Sequence, residues 1–362
     1  MSADRVATMA RQFAIEGEFA GSAPFGSGHI NDTYCAEFVS NGKRLRAILQ
    51  RINDRTFRSV PALMENIERV TRHVSAKVAG EPDSERRALR LIPACDGSAS
   101  LRDEDGGYWR AYRMIERART FDAVQSTAQA FEAGKAFGRF QQLLADLPAP
   151  RLHDTIPDFH HTPKRFAALQ RAIERDAAGR AKTAAEDIAF ALAQEPMTRV
   201  LLDAGLPERV THNDTKINNV MMDDVTGEGL CVIDLDTVMP GLALYDFGDM
   251  VRTTTSPSAE DERDLSKVVM QMPMYEALLR GYLSTAGGFL TSAERALLAF
   301  SGKLITFEIG IRFLTDYLEG DTYFKVHRDG HNLDRCRTQF ALLASMERQE
   351  AAMERLVQVL SG

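Results

Sequence analysis

Only four cysteines, Cys35, Cys95, Cys231 and Cys336, are spread along the 362 residues, and no two of them form a CxxC pair. That spacing excludes a cysteine-built metal site. Four thiols are also too few to staple a chain of this length, so all four are expected to be reduced and buried. A long apolar run is missing as well. No stretch is long enough to cross a bilayer, and residues 1–13 carry charges where an export signal would be apolar, so no membrane contact and a cytoplasmic location are expected. Basic residues are outnumbered 44 to 51, for a formal charge of −7, and no basic stripe stands out. Such a balance repels polyanions and sets aside nucleic acid as a partner. Any anionic ligand must be gripped by local donors or by metal. Internal repeats and blocks of like charge are also absent. Disorder is expected only at the termini, and nothing in the pattern calls for an assembly, so a monomer is the expectation.

What is present is an ordinary globular composition, 44% apolar and 26% charged, on a chain longer than one hydrophobic core usually covers. Two lobes are therefore expected. The first third reads as antiparallel strands, 18–25, 33–38 and 45–51, with Asn41-Gly42 as a favoured hairpin turn. One helix interrupts them, marked by Pro61 in its first turn and by Val60, Leu63, Met64, Ile67 and Val70 at helical spacing. Strands at 89–93 and 108–115 flank the acidic turn 103–107, and the sheet region ends near Arg117. Beyond Phe121 helices dominate. Ala133, Phe137, Phe140 and Leu144 form one apolar stripe, with Gly134 and Gly138 allowing a neighbour close. A more exposed helical pair is expected over 162–194, and three long helices over about 260–284, 292–318 and 332–359.

The densest chemistry lies in Val210-Thr211-His212-Asn213-Asp214-Thr215-Lys216-Ile217-Asn218-Asn219, followed by Val232-Ile233-Asp234-Leu235-Asp236. Phosphoryl transfer needs a carboxylate to orient the attacking hydroxyl and accept its proton, and oxygen ligands for a magnesium ion that bridges the phosphates. Asp214 and Asn219 reproduce the kinase spacing His-x-Asp-x-x-x-x-Asn. Asp214 is thus the candidate base, Asn219 a metal ligand, Lys216 a cation within reach of the transferred group, and His212 a brace for the loop. The second metal ligand follows from geometry. Segments 219–223 and 230–234 read as a hairpin, which brings Asn219 and Asp234 to one edge, and strand alternation would aim Asp236 the same way. Asp246-Phe247-Gly248 lies outside that hairpin, so Asp246 is expected to fix the catalytic loop. Ser301-Gly302-Lys303 is no P-loop, since Leu304 and Leu297 stand where the motif needs a hydroxyl and a glycine.

Between the first two strands, Gly26, Ser27, Gly28, His29 and Asn31 form a turn that suits phosphates but equally suits an ordinary hairpin. Farther on, Glu308, Arg312 and Asp316 recur at i, i+4, i+8 along an otherwise apolar helix. That stripe is either a surface ladder of ion pairs or the wall of a polar pocket, because unpaired buried charge is costly.

At these residues the chain resembles the aminoglycoside phosphotransferase-like kinases and, within them, is similar to the N-acetylhexosamine 1-kinases. Besides Thr211 to Lys216, the likeness runs through Gly28-His29-Ile30-Asn31, Ile48-Leu49-Gln50, Ile233 to Thr237, Pro240-Gly241, Asp246 to Asp249, Arg312-Phe313-Leu314 and Asp316 to Asp321. It implies an α+β, two-lobed protein-kinase-like fold, with a small antiparallel-sheet N-lobe over 1–117 and a larger, mainly helical C-lobe over 118–362. It further implies ATP and Mg²⁺ as cofactors, with Gly26, Ser27, Gly28, His29, Asn31, Gln50 and the hinge at Glu116 toward the nucleotide. The acceptor would be N-acetylglucosamine or N-acetylgalactosamine, phosphorylated on the anomeric hydroxyl, with Asp214 as base and Asn219 and Asp234 on the metal. Sugar contacts would come from Asp214, Thr237, Arg312 and Tyr323. One departure stands out: the small-lobe lysine that grips phosphates is absent, Gln50 holds its place, and Arg51 is the nearest cation in sequence. A kinase for another acceptor, or a nucleotide-binding module without activity, are the competing readings.

Overall fold

The computed structural model describes residues 3–26 and 30–361. Its first elements are α1 (Ala3–Ala10), β1 (Glu18–Pro24), β2 (Asp32–Ser40), β3 (Lys43–Arg51), α2 (Val60–Val78), β4 (Leu91–Ile92), β5 (Leu101–Arg102) and β6 (Tyr108–Arg113). All strands here run antiparallel in the order β1-β2-β3-β6-β4, with β5 also on β6. Asn41 and Gly42 both take positive φ, 50° and 75°, in the two-residue turn that pairs Ser40 with Lys43. That turn sets the register of the whole hairpin. Because strand side chains alternate, the sheet has two distinct faces. Ala47, Leu49, Trp109 and Ala111 pack under α1 with Val6, Met9 and Phe13. The other face carries Thr33, Gln50 and Arg110 in one row and Cys35, Ile48 and Tyr112 in the next.

The remaining elements are β7 (Ala118–Arg119), α3 (Thr127–Leu144), α4 (Thr162–Arg175), α5 (Ala185–Ala193), α6 (Val200–Asp203), β8 (Arg209–Thr211), β9 (Val220–Asp223), β10 (Gly229–Val232) and β11 (Met239–Gly241). After them come α7 (Ala243–Thr254), α8 (Met272–Ala286), α9 (Ser292–Ala296), α10 (Leu298–Leu318) and α11 (His331–Ser361). Gly134 lets α3 meet α8, since a Cβ there would lie 2.3 Å from the Leu278 carbonyl. Gly248 does the same for α7 against α10, 2.4 Å from the Ser301 carbonyl. One continuous core joins α2, α3, α7, α8 and the β9–β10 hairpin, and a second joins α4, α10 and α11.

Several expectations need correction. The first of the three long helices starts at Met272, because 260–271 is irregular apart from one short turn at Leu265–Lys267. Helix α7 went unread, as its residues are buried nearly all round and show no apolar stripe. The 162–194 segment contributes Phe166, Leu169, Ala184 and Ala191 to a core and is not merely exposed. Of the cysteines, Cys231 and Cys336 are buried, but Cys35 is half-buried and Cys95 lies exposed in a turn. Among the described residues no helix is long and apolar enough to cross a membrane.

Candidate active site

The loop 212–219 leaves β8 and is shaped from beneath by α7. Asp246, in the first turn of α7, accepts the amides of His212 and Asn213 at 2.9 and 2.7 Å, and Asp249 accepts that of Thr215 at 2.8 Å. Behind Asp246, Gln141 donates at 2.7 Å and is itself bonded by the Tyr282 hydroxyl. Desolvation pushes the Asp246 carboxyl up, and these donors offset much of that penalty. His212 braces the loop as expected. Its Nδ1 accepts the Asp214 amide at 3.3 Å, its Nε2 donates to the Ile233 carbonyl at 2.9 Å, and Phe137 and Phe140 pack edge-on against its ring. Asn213 takes φ 65°, a conformation that asparagine tolerates better than most residues.

On this support Asp214 stands half-buried. Lys216 Nζ lies 3.1 Å from its carboxylate, and Asn219 Nδ2 donates to it at 3.1 Å and to its carbonyl at 2.8 Å. Desolvation works against ionisation of Asp214, but Lys216, His212 and Arg252 together outweigh it and hold the carboxyl below its ordinary range. The hairpin brings Asp234 to the same edge, for the Ile233 amide bonds the Asn219 carbonyl at 2.9 Å. Asp234 accepts no hydrogen bond from any described residue. Desolvation, then the carboxylates of Asp236 and Asp214, push its carboxyl up to about 6. A carboxylate crowded by other carboxylates and lacking a donor suits a hard cation, and Asn219, whose amide nitrogen is engaged, has its oxygen left for the same purpose. No group of three or more His, Cys, Asp or Glu side chains that could hold a metal ion is found among the described residues.

Asp236 does not face that edge by strand alternation. The backbone turns at Asp234, φ 59°, into the 3₁₀ turn Leu235–Thr237, so Asp236 is swung back and buried. There it meets residues of the sheet. Arg110 Nη1 pairs with one carboxylate oxygen, and Asn31 Nδ2 donates to the other at 2.7 Å. Gln50 sits opposite Arg110 in register, accepts from its Nε and Nη2 at 2.9 and 2.8 Å, and donates to Thr33 at 3.1 Å. Arg51 points the other way, 3.6 Å from Asp103, as strand alternation requires. Asn31 also accepts the Asn53 amide at 3.0 Å. Gly26 takes φ 78°, which favours glycine. Ser27, Gly28 and His29 lie outside the described residues. Glu116 pairs with Arg46, and its carbonyl accepts from Arg86 at 3.0 Å.

The charged stripe on α10 is neither a ladder nor a simple pocket wall. Glu308, fully buried, accepts from His160 at 2.8 Å and from Thr162 at 2.6 Å. Asp316 accepts the amides of Thr322, Tyr323 and Phe324 at 2.8–2.9 Å, plus Asn332 at 2.8 Å. Arg312 is left between them with no hydrogen bond or ion pair to a described residue, its guanidinium over the rings of Phe159 and Phe324 at 5.3 and 5.7 Å. Arg165 reaches the same place, donating to the Phe159 carbonyl at 3.0 Å. Desolvation lowers the pKa of Arg165, and repulsion by Arg312 lowers it further. Tyr323 is 68% exposed, and its ring packs edge-on against Phe324. The region reaches the 212–219 loop through His160, whose Nε2 lies 3.3 Å from the Asn213 carbonyl. Thr237, half-buried, donates to the His212 carbonyl at 2.6 Å. Arg110, His160 and Arg165 were not singled out from sequence. None lies in a motif, and the partners of Arg110 and His160 are 53 to 148 residues away in sequence.

Comparison with known proteins fits this arrangement. A model of the phosphotransferase enzyme family matches residues 22–292. Solved structures align over nearly the whole chain at low identity. The microcompartment-associated aminopropanol kinase aligns with TM-score 0.59 and 17% identity, over 98% of this chain and 99% of its own. Spectinomycin phosphotransferase, solved with ADP and spectinomycin, gives 0.60 and 12%, over 96% and 97%. Choline kinase from Cryptosporidium parvum gives 0.56 and 15%, over 100% of both.

Proposed function

This chain belongs to the phosphotransferase enzyme family, and from that premise we propose that it transfers the γ-phosphoryl group of ATP to the anomeric hydroxyl of an N-acetylhexosamine. The observation that carries this reading is the meeting of Asp214, Lys216 and Asn219 at one edge with the carboxylate of Asp234, which accepts no hydrogen bond from a described residue. Asp214 orients the acceptor hydroxyl and takes its proton, and Lys216 reaches the oxygens of the group in transfer. Asn219 and Asp234 hold Mg²⁺, which neutralises charge on the phosphates when bound. Residues 1–117 form the nucleotide-side lobe and 118–362 the catalytic and acceptor-side lobe. Gly26, Ser27, Gly28, His29, Asn31, Gln50 and the hinge at Glu116 serve the nucleotide.

For the acceptor, the unpaired Arg312 is the specific support, together with the likeness of Arg312 to Leu314 and Asp316 to Asp321 to the N-acetylhexosamine kinases. A half-buried guanidinium that no described residue pairs offers donors to hydroxyl and carbonyl oxygens and repels amines. Arg165 adds to that repulsion. The aminoglycoside, choline and aminopropanol acceptors suggested by the structural neighbours are cationic, and a site of this charge disfavours them. ATP turnover across hexoses, N-acetylhexosamines, spectinomycin and choline, with the product identified by NMR, tests the proposal. The expected product is an N-acetylhexosamine 1-phosphate. Preference for an amine-bearing acceptor would overturn the acceptor assignment, and no turnover with any acceptor would overturn the reaction.

A further inference from the structure

The sheet face that carries Gln50 has an internal order. At one end Arg46 pairs with Glu116, the middle row is Cys35, Ile48 and Tyr112, and the far row is Thr33, Gln50 and Arg110. The far row is the one that reaches the tail of the β9–β10 hairpin, two residues beyond Asp234. Arg110 is 1% exposed and Asp236 3%, so this ion pair is withdrawn from water. Burying such a pair seldom stabilises a fold more than apolar side chains of the same volume would. Its position therefore asks for another explanation. The pair and its neighbours join separate pieces of chain: Asn31 just before β2, Thr33 from β2, Gln50 from β3, Arg110 from β6 and Asp236 from the 3₁₀ turn after Asp234. Thr155 adds a bond to the Asp236 carbonyl at 3.1 Å. The hydroxyl of Tyr112 is buried on the same face, has no hydrogen-bond partner among the described residues, and belongs to a ring 5.3 Å from the Arg110 guanidinium.

We propose that Arg110 is a positioning residue for phosphoryl transfer, which through Asp236 and Asn31 holds the start of β2 and the metal edge at Asp234 in one fixed relation. It supplies, from the neighbouring strand, the charged anchor that the strand position of Gln50 lacks. The proposal rests on the reading of the site as a Mg·ATP-dependent kinase. Gln50 accepts from Nε and Nη2 of the guanidinium, leaving Nη1 for Asp236. Asp236 divides its oxygens between Arg110 and Asn31, so a shift of Arg110 moves Asn31 relative to Asp234. Displacements of about 1 Å in such arrangements can cost on the order of a hundredfold in rate.

The test uses the full chain and compares Arg110→Lys, Asp236→Asn and the double variant Arg110→Met/Asp236→Leu. The double variant removes both charges and leaves apolar volume, so it should melt within roughly 5 °C of the wild type. Even so, its kcat should fall at least about thirtyfold and its KM for ATP rise about tenfold, with the KM of the acceptor little changed. Arg110→Lys retains the charge and should recover part of the loss. Calorimetric titration with Mg·ATP, which needs no acceptor, should show the same weakening. A folded double variant with wild-type kcat, KM and Mg·ATP affinity would overturn the positioning role while leaving the kinase reading intact. If the wild type itself binds no Mg·ATP, both readings fail together.

Discussion

Two arginines meet the interior of this protein in opposite ways. Arg110 is enclosed by the sheet and neutralised by Asp236, with Gln50 bonded to its fork. Arg312 lies on a helix whose two nearest carboxylates are both engaged elsewhere, Glu308 by His160 and Thr162, and Asp316 by the backbone of 322–324. The contrast separates a charge that orders the machinery from one kept available. Removing the first leaves an uncompensated buried partner, whereas removing the second leaves none. The paired side contains Asp214, Asn219 and Asp234, and the unpaired side contains Tyr323, Phe324 and Phe159.

The largest effects should fall on the paired side. Asp214→Asn should keep the fold and nucleotide binding but lower kcat by at least about a thousandfold, because orientation and proton acceptance are lost together. Steady-state kinetics beside a melting curve check this, and near-normal turnover would remove Asp214 as the base. Asp234→Ala should abolish metal-supported activity at an unchanged melting temperature, since no described residue hydrogen-bonds its carboxylate. Asp246→Ala should do the reverse in kind, lowering the melting temperature, because three donors would lose a buried acceptor. If the alanine at 246 gave a stable, metal-blind enzyme and that at 234 stayed active, the roles of the two aspartates would be exchanged.

Those two aspartates also show where sequence was sufficient. The Asn219–Asp234 meeting was legible because a short turn between two strands leaves few choices for which residues end up side by side. One step further, the same reasoning failed for Asp236. It assumed that strand alternation continues past Asp234, but the backbone enters a left-handed residue and a 3₁₀ turn there. Arg110 was illegible for a different reason. Its place opposite Gln50 depends on the register of strands 60 residues apart, which no local pattern specifies. The α10 stripe was seen, but not what neutralises it, since His160 is 148 positions from Glu308. Spacing along a helix tells which charges share a face, not which neighbour from elsewhere claims them.

On the unpaired side the effects should be smaller and confined to the acceptor. Arg312→Ala should raise the acceptor KM about ten- to a hundredfold and leave the ATP KM nearly unchanged. Because Arg312 makes no ion pair or hydrogen bond with a described residue, its loss should shift the melting temperature little. In the ion-pair ladder that spacing alone allows, the same change would instead leave Glu308 and Asp316 lacking a cation. A folded variant that binds the acceptor normally but loses ATP would place α10 on the nucleotide side.

The mildest change in activity but the clearest pH signature should come from Glu308→Gln. Desolvation pushes the Glu308 carboxyl up, but His160, with Thr162, outweighs it and holds the group below the ordinary glutamate range. A carboxyl depressed in the folded state stabilises the fold above its unfolded value, 4.5, and that contribution is lost as pH falls through the folded value. Glutamine at 308 retains an oxygen for His160 but no charge, so near pH 7 the variant should be less stable by about 2 kcal/mol. As the wild type is acidified through and below the glutamate range, its own Glu308 takes up a proton and the two stabilities should converge. Chemical unfolding at a series of pH values measures this directly. A stability gap that stays constant from about pH 7 to about pH 3 would mean that Glu308 contributes by shape and hydrogen bonding alone. Arg312 would then stand beside a carboxylate whose charge His160 does not balance, and the difference between the paired and the unpaired arginine would shrink accordingly.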